Sequence, residues 1–296
     1  MIIQGEEMVT GAVVATMEST PDPRLREVMA SLVRHLHAFV RDIKPSEREF
    51  ERAIAFLNGI GQATHDKHNE GILISDVLGI STLVGLLNNP SWGGETEAAL
   101  LGPFWRAAAP DCALGDNIAR SATPGAALFA RGRVRDAEGK PIPGALVDVW
   151  QASPVGLYEN QDPDQDDMNL RGRFRADDAG HWHFRSVRPA GYPIPMDGPV
   201  GLLLRAQHRP HYRPAHVHFM VSAPGYQTLV TQVFLDDCPH LETDVTFSVV
   251  QSLIGDFVRH DDPTEAPGPV EGPWYSLAYD FTLRPGEQRF PTPPIS

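Results

Sequence analysis

The sequence predicts a mainly β protein with an α N-terminal domain, and two observations carry that reading. Apolar residues recur at spacings of three and four before Pro103 and alternate with polar ones after it. The chain also holds 27 prolines and 26 glycines, with most of the prolines after residue 100. Many short alternating segments separated by Pro/Gly turns argue for a sandwich or a barrel. At 296 residues there is room for two domains. The expected division is a helical dimerisation domain over 1–105 and a β domain over 106–296.

The helices come first. From Asp22 onward, Leu25, Val28, Met29, Leu32, Leu36, Phe39, Val40 and Ile43 form one apolar stripe. Asp22 is a candidate N-cap, and Pro23 suits the first helical position. Ser46-Glu47-Arg48-Glu49 reads as a capping box opening a second helix to about Leu57. A third run, Gly71 to Leu87, is apolar on several faces and needs several neighbours to bury it. Three helices make a thin core, so a homodimer through these helices is expected. The strands follow. Ala127 to Arg135 turns at Glu138-Gly139 and returns over Ala145 to Trp150. Further strands are expected at 181–187, 201–207, 215–222, 227–235, 245–250 and 277–283. Glu265 to Pro273 is proline-rich and reads as ordered coil.

Composition narrows the function. A formal net charge of -13 disfavours nucleic acid and anionic membrane surfaces as partners. Cys112 and Cys238 are the two cysteines, without CxxC spacing, which supports neither a disulfide framework nor a thiolate metal site. A reducing cytoplasm is the expected compartment. Met1 to Met17 carries acidic residues where a signal peptide would be basic, and no span reaches transmembrane length. Residues 171–213 hold eight arginines and no lysine. Such a cluster serves either ion pairing, as with the acidic run Asp162 to Asp167, or a funnel for a small anion.

Arg213-Pro214-Ala215-His216-Val217-His218-Phe219 is the segment richest in chemistry. On a strand, His216 and His218 share one face while Val217, Phe219 and Val221 share the other. Paired imidazoles on a rigid strand are half of a metal site, or else a polar strand face. Further ligands must come from elsewhere. Cysteine is excluded, and the Asp162–Asp167 loop lacks calcium-loop spacing. Tyrosine is scarce: Tyr158, Tyr192, Tyr212, Tyr226, Tyr275 and Tyr279. Tyr158 follows a strand end, and Tyr192 is held among prolines. His181-Trp182-His183 repeats the His-x-His spacing without an adjacent motif and reads as strand surface. His208 and His211 flank the site without an assigned role.

Taken together, Leu101-Gly-Pro-Phe104, Asp148-Val-Trp-Gln-Ala-Ser153, Gly156-Leu-Tyr158, Gly191-Tyr-Pro-Ile-Pro195, Arg213-Pro-Ala-His-Val-His218 and Thr231-Gln-Val-Phe234 resemble the intradiol ring-cleavage dioxygenases. The resemblance runs from about residue 20 to 285. It implies a β-sandwich catalytic domain preceded by a helical linker domain. It further implies one ferric iron (Fe3+) per subunit, held by Tyr158, Tyr192, His216 and His218. By the same carry-over, Tyr192 leaves the metal as the diol binds and takes up a proton, and Arg213 stabilises negative charge on the ring. Gln232 lines the oxygen side. Leu73, Asp76, Leu100, Leu101, Gly102, Pro103, Phe104, Ile194 and Pro195 line the substrate pocket with Arg213. Leu73, Asp76 and the Leu-Leu-Gly-Pro-Phe loop resemble the hydroxyquinol branch, where Asp76 would accept a hydrogen bond from a third ring hydroxyl; within a helix it could instead cap or pair locally. The expected substrates are a small aromatic diol or triol and O2, with hydroxyquinol first and catechol or a chlorocatechol as the alternative. Relatives carry a phospholipid on the helical apolar face, so the resemblance extends that expectation to the dimer interface here. Two other classes compete: a transthyretin-like binding module, suggested by Gly132 to Trp150, and a zinc hydrolase built on His216, His218 and a carboxylate.

Overall fold

The structure is a computed structural model that describes residues 2–90 and 93–295. Met1, Ser91, Trp92 and Ser296, which the expected domain limits take in, lie outside the described residues. The chain divides into two compact units, Met1–Asn58 and Gly59–Ser296.

The first unit is helical. Helix α1 (Glu6–Ala15) precedes α2 (Pro23–Ile43), and α3 (Glu47–Ala63) begins in this unit. The Asp22 carboxylate accepts from the Arg24 and Leu25 amides at 2.8 and 3.1 Å, and Pro23 takes the first turn. Glu49 Oε2 accepts from the Ser46 amide at 2.8 Å while the Glu49 amide donates to Ser46 Oγ, which is the expected capping box. The apolar stripe of α2 is open: Leu36, Phe39 and Ile43 remain 50–57% exposed. Helix α1 was not foreseen, because Glu6 and Glu7 masked the short apolar run behind them.

The second unit begins with α4 (Glu70–Val77) and α5 (Ile80–Asn88). The single helix expected over Gly71 to Leu87 is therefore two. Gly79, at φ 71°, adopts a left-handed turn that breaks the run. Among the described residues thirteen strands follow: β1 (Asp111–Cys112), β2 (Ala127–Asp136), β3 (Leu146–Trp150), β4 (Arg171–Arg175), β5 (His181–Val187), β6 (Tyr192–Pro193), β7 (Tyr212–Arg213), β8 (His216–Ser222), β9 (Leu229–Leu235), β10 (Ile254–Gly255), β11 (Phe257–His260), β12 (Trp274–Ala278) and β13 (Phe281–Leu283). One sheet runs β1-β4-β3-β8-β9-β10. The other runs β11-β12-β2-β13, with β5 also paired to β2, and β6-β7 is a separate short ladder. Val147, Val149, Phe174, Val217, Phe219, Val221 and Val233 from the first sheet bury against Leu128, Val134, Trp182, Phe184, Leu277 and Phe281 from the second. This is the expected sandwich.

Two expected strands are absent. Residues 201–207 fall in helix α6 (Pro199–Ala206), where Pro199 fills the first turn and Val200, Gly201 and Leu204 bury one helical face. The α6 N-terminus is capped from far away: the Glu70 carboxylate, fully buried, accepts from the Val200 amide at 2.8 Å and contacts His68 Nε2 at 2.5 Å. Residues 245–250 form a loop wrapped on Asp244, which accepts from the Thr246 and Ser248 amides instead of leaving them to a ladder.

Close packing within the second sheet leaves no room at Gly132. A Cβ there would stand 1.7 Å from the Tyr279 carbonyl oxygen and 2.8 Å from Trp182. Gly132→Ala is expected to cost at least about 3 kcal/mol, since backbone rather than a side chain must shift. Equilibrium denaturation reads this loss directly; an unchanged midpoint would contradict the packing.

Candidate active site

The strand alternation places the site. On β8 every residue is buried. Val217, Phe219 and Val221 enter the inter-sheet core, whereas Met220 joins Phe104, Trp105, Trp150, Tyr158 and Tyr192 in a cluster on the outer face of the first sheet. His216 and His218, each 2% exposed, point to that outer face. Loops after β3 and before β6 cover it, which is why two imidazoles are dry on a strand that would otherwise be wet.

Four donors meet there. His216 Nε2 and His218 Nε2 are 3.0 Å apart, and the Tyr158 and Tyr192 hydroxyls are 3.2 Å apart. The Tyr192 ring centroid lies 5.7 Å from that of His216, and the Tyr158 centroid 6.3 Å from that of His218. His216 Nδ1 is 2.7 Å from the Pro214 carbonyl and donates to it, leaving the Nε2 lone pair for the site. His218 is stacked on Trp150 at 4.7 Å and 9°. Its Nδ1 has no hydrogen-bond partner among the described residues. Gly102, at φ 73°, lies against the same ring, and a Cβ there would be 3.2 Å from His218 Cε1.

Burial dominates the electrostatics. It depresses both histidines, with Arg213 adding to the effect on His216, and His216 adding to it on His218. It raises both tyrosines, an effect that Arg213 opposes at Tyr192. Burial by itself thus favours neutral imidazoles and protonated phenols. Two neutral imidazoles and two phenol hydroxyls suit an imidazole- and oxygen-binding transition metal that would displace the phenolic protons. Separations of 3.0 and 3.2 Å would let each pair of donors reach a single ion. A zinc set with a carboxylate finds no support: among the described residues no group of three or more His, Cys, Asp or Glu converges.

Arg213 is 4% exposed and fully engaged. Its Nη1 lies 3.4 Å from His216 Nε2, and its Nη2 donates to Gln232 Oε1 at 2.8 Å and Ser248 Oγ at 2.6 Å. Nε faces Asp244 Oδ1 at 3.3 Å. Burial would depress the guanidinium, but the Asp244 carboxylate, joined by Tyr192 and Tyr158 when these are ionised, more than offsets it and holds the charge in place. Gln232 donates in turn to the Leu100 carbonyl at 2.7 Å, tying the Leu100–Phe104 loop to Arg213. Phe104 packs on Tyr158 at 4.7 Å, and Leu101 joins that cluster. Leu73 and Ile194 sit together in a separate apolar cluster with Val77, Val200, Leu204 and Val245. Asp76 is 3% exposed; burial raises its carboxyl to about 6, opposed by a hydrogen bond from Ser81. A cavity of about 790 Å³ reaches Tyr192 and is lined by Phe104, Ile194 and Pro195, but not by Leu73, Asp76 or Leu100–Pro103. Asp244 and Ser248, which fix Arg213, carry no motif and were not foreseen.

A family description, catechol dioxygenase N terminus, matches residues 22–96, and a second, dioxygenase, matches 101–285. The chain is a dioxygenase of the intradiol ring-cleavage family. It is 44% identical over 281 residues to a hydroxyquinol 1,2-dioxygenase from Rhizobium sp., covering 94% of this chain and 95% of that one. A 6-chlorohydroxyquinol 1,2-dioxygenase from Cupriavidus pinatubonensis is 43% identical over 277 residues, covering 94% and 96%. The crystal structure of hydroxyquinol 1,2-dioxygenase from Pseudomonas putida superposes with a TM-score of 0.87 at 40% identity, covering 95% of this chain and 99% of that one. The dioxygenase thus has an enzyme's relatives along 94% or more of its length, and the transthyretin-like binding module is set aside.

Proposed function

We propose that this enzyme cleaves hydroxyquinol between its vicinal hydroxyls with O2, using one Fe3+ per subunit held by Tyr158, Tyr192, His216 and His218. The convergence of two phenols and two imidazoles beside a buried arginine carries the reading. Both oxygens of O2 end in the product, one on each former ring carbon, giving 3-hydroxy-cis,cis-muconate and its tautomer maleylacetate. Bound there, ferric iron supplies the Lewis acidity and redox partnership that make a diolate reactive toward O2. The chain's own residues do the rest. Tyr192, which lines the cavity, would take up a diol proton through the phenolate that metal binding leaves there. The Arg213 guanidinium faces charge that develops on the ring, a fixed cation needing no reorganisation. Phe104, Ile194 and Pro195 form apolar walls that keep water from the reacting carbon. Gln232 holds Arg213 and the Leu100–Phe104 loop in register.

Hydroxyquinol is favoured over catechol by the two relatives named for hydroxyquinol-type substrates and by a buried carboxylate at Asp76. The helical portion to residue 105 is assigned to homodimerisation, with a phospholipid on its apolar face, on the strength of the open α2 stripe. Two unbridged cysteines favour the cytoplasm. The test is oxygen uptake with hydroxyquinol, catechol and chlorocatechols on iron-loaded protein. Expected are a red preparation from tyrosinate-to-iron charge transfer and a higher kcat/KM for hydroxyquinol. A colourless protein with full iron content would refute the ligand set, and faster catechol turnover would refute the substrate. A dimer mass in light scattering checks the assembly.

A further inference from the structure

Of the eight arginines in residues 171–213, four face a carboxylate among the described residues and four do not. Arg171, Arg173, Arg188 and Arg213 each face a carboxylate: Glu159, Asp111, Asp237 and Asp244, at 2.7, 3.0, 2.5 and 3.3 Å. Arg205 and Arg209 do not. Arg205 Nη2 donates to the Met196 carbonyl. Arg209 Nη2 donates to the Val77 carbonyl at 2.8 Å, and its guanidinium lies over the Phe247 ring at 5.3 Å. A carbonyl or a ring face orients a guanidinium without cancelling its charge. Both arginines line the cavity that reaches Tyr192, as do His208 and His211. No aspartate or glutamate lines it among the described residues, although the chain carries a net charge of -13. Two acids adjoin lining residues in sequence without lining the cavity themselves: Asp162, half-buried, after Gln161, and Asp197, exposed, after Met196. Phe104, Leu157, Ile194 and Leu204 supply an apolar floor to the same cavity.

We propose that this cationic rim is a binding subsite for small conjugated organic carboxylates. It rests on the ring-cleavage reading only for its natural ligand, the ring-opened dicarboxylate. The reaction turns an uncharged ring into two carboxylates beside Tyr192. An apolar floor accepts the conjugated carbons, and the charges Arg205 and Arg209 keep accept the carboxylates. Focusing of the field in a cleft walled by apolar groups strengthens the attraction. The rim thereby draws the product off the reacting centre and retains it when it accumulates.

cis,cis-Muconate is the probe, and calorimetric titration of the iron-loaded protein is the measurement, so no turnover is needed. Arg205→Gln is expected to weaken muconate binding about tenfold, the loss of one charge-assisted hydrogen bond. Arg205→Lys, which keeps the charge, is expected to restore most of it. Arg131→Gln, the same charge change on an exposed strand position of the other sheet, is expected to leave it intact. Wild-type affinity should also fall as salt rises, and the uncharged dimethyl ester should bind more weakly. Equal losses in R205Q and R131Q, or an ester that binds as well as the acid, would overturn the subsite. If no diol is cleaved yet muconate binding still depends on Arg205, the ring-cleavage reading falls and the subsite stands. If diols are cleaved and muconate is indifferent to Arg205, the subsite alone falls.

Discussion

Replacing Arg213 by glutamine is expected to lower kcat/KM for ring cleavage by about 10²–10³-fold, the usual consequence of removing one preorganised charge stabiliser. The loss should appear mainly in kcat, because the cation matters most where charge develops on the ring. The same substitution should also destabilise the fold. Arg213 and Asp244 are both buried, at 4% and 7% exposure, and breaking a buried pair from one side costs about 3–5 kcal/mol. The two effects can be separated. Asp244 Oδ2 accepts from the Ser248 amide at 2.9 Å and from Thr246 Oγ1 at 2.9 Å, so an asparagine retains part of this cradle without an unpaired charge. The double variant R213Q/D244N should therefore recover much of the lost Tm and none of the lost kcat. Arg213→Lys should fall between, since an ammonium cannot reach Asp244, Gln232 and Ser248 together. Thermal unfolding and steady-state oxygen uptake on the four proteins decide this. A double variant with wild-type kcat would remove Arg213 from the chemistry and leave it a structural ion pair.

How much of this was legible in the sequence depends on the distance over which each device acts. The face shared by His216 and His218 follows from strand periodicity, a property of three adjacent residues, and it holds because β8 is regular. The caps at Asp22 and Ser46 are likewise complete within three residues. Helix α6 was misread as a strand because its stabilising partner, Glu70, lies 130 residues away. Its short apolar run has no helical period of its own strong enough to reveal it. Asp244 was silent for the same reason. It meets Arg213 from 31 positions further along the chain, and a lone Asp before Val-Thr-Phe-Ser resembles any loop acid. The arginine cluster was visible as a cluster, but only the structure sorts its charges into neutralised and free.

Asp76 is where fold and function pull in opposite directions. Burial lifts its carboxyl from 3.8 to about 6, and the Ser81 hydroxyl and Arg213 only partly counter this. A folded value above the unfolded one means the favourable contribution is complete below pH 3.8 and is lost as pH rises through about 6. Above that pH the ionised carboxylate costs on the order of 3 kcal/mol, at 1.36 kcal/mol for each unit of displacement. Asp76→Asn should accordingly raise Tm at pH 8, with the gain shrinking toward zero below pH 4. A residue that weakens the fold at neutral pH needs a reason to be there, and an acceptor for the third hydroxyl of hydroxyquinol is such a reason. A buried acceptor rejects a ring that lacks the matching hydroxyl, because the carboxylate is then left unpaired. Asp76→Ala should thus lower kcat/KM for hydroxyquinol by about 10–100-fold, the value of one hydrogen bond to a charged group. It should leave catechol unchanged or improved, so that the preference between the two collapses. Ionisation also gives this preference a pH dependence: in the wild type it should strengthen as pH rises through about 6, and in Asp76→Ala it should be flat. An unaltered substrate ratio in Asp76→Ala, accompanied by the higher Tm in Asp76→Asn, would assign Asp76 to the α4–α5 junction through Ser81 and move substrate selection to the Leu100–Phe104 loop.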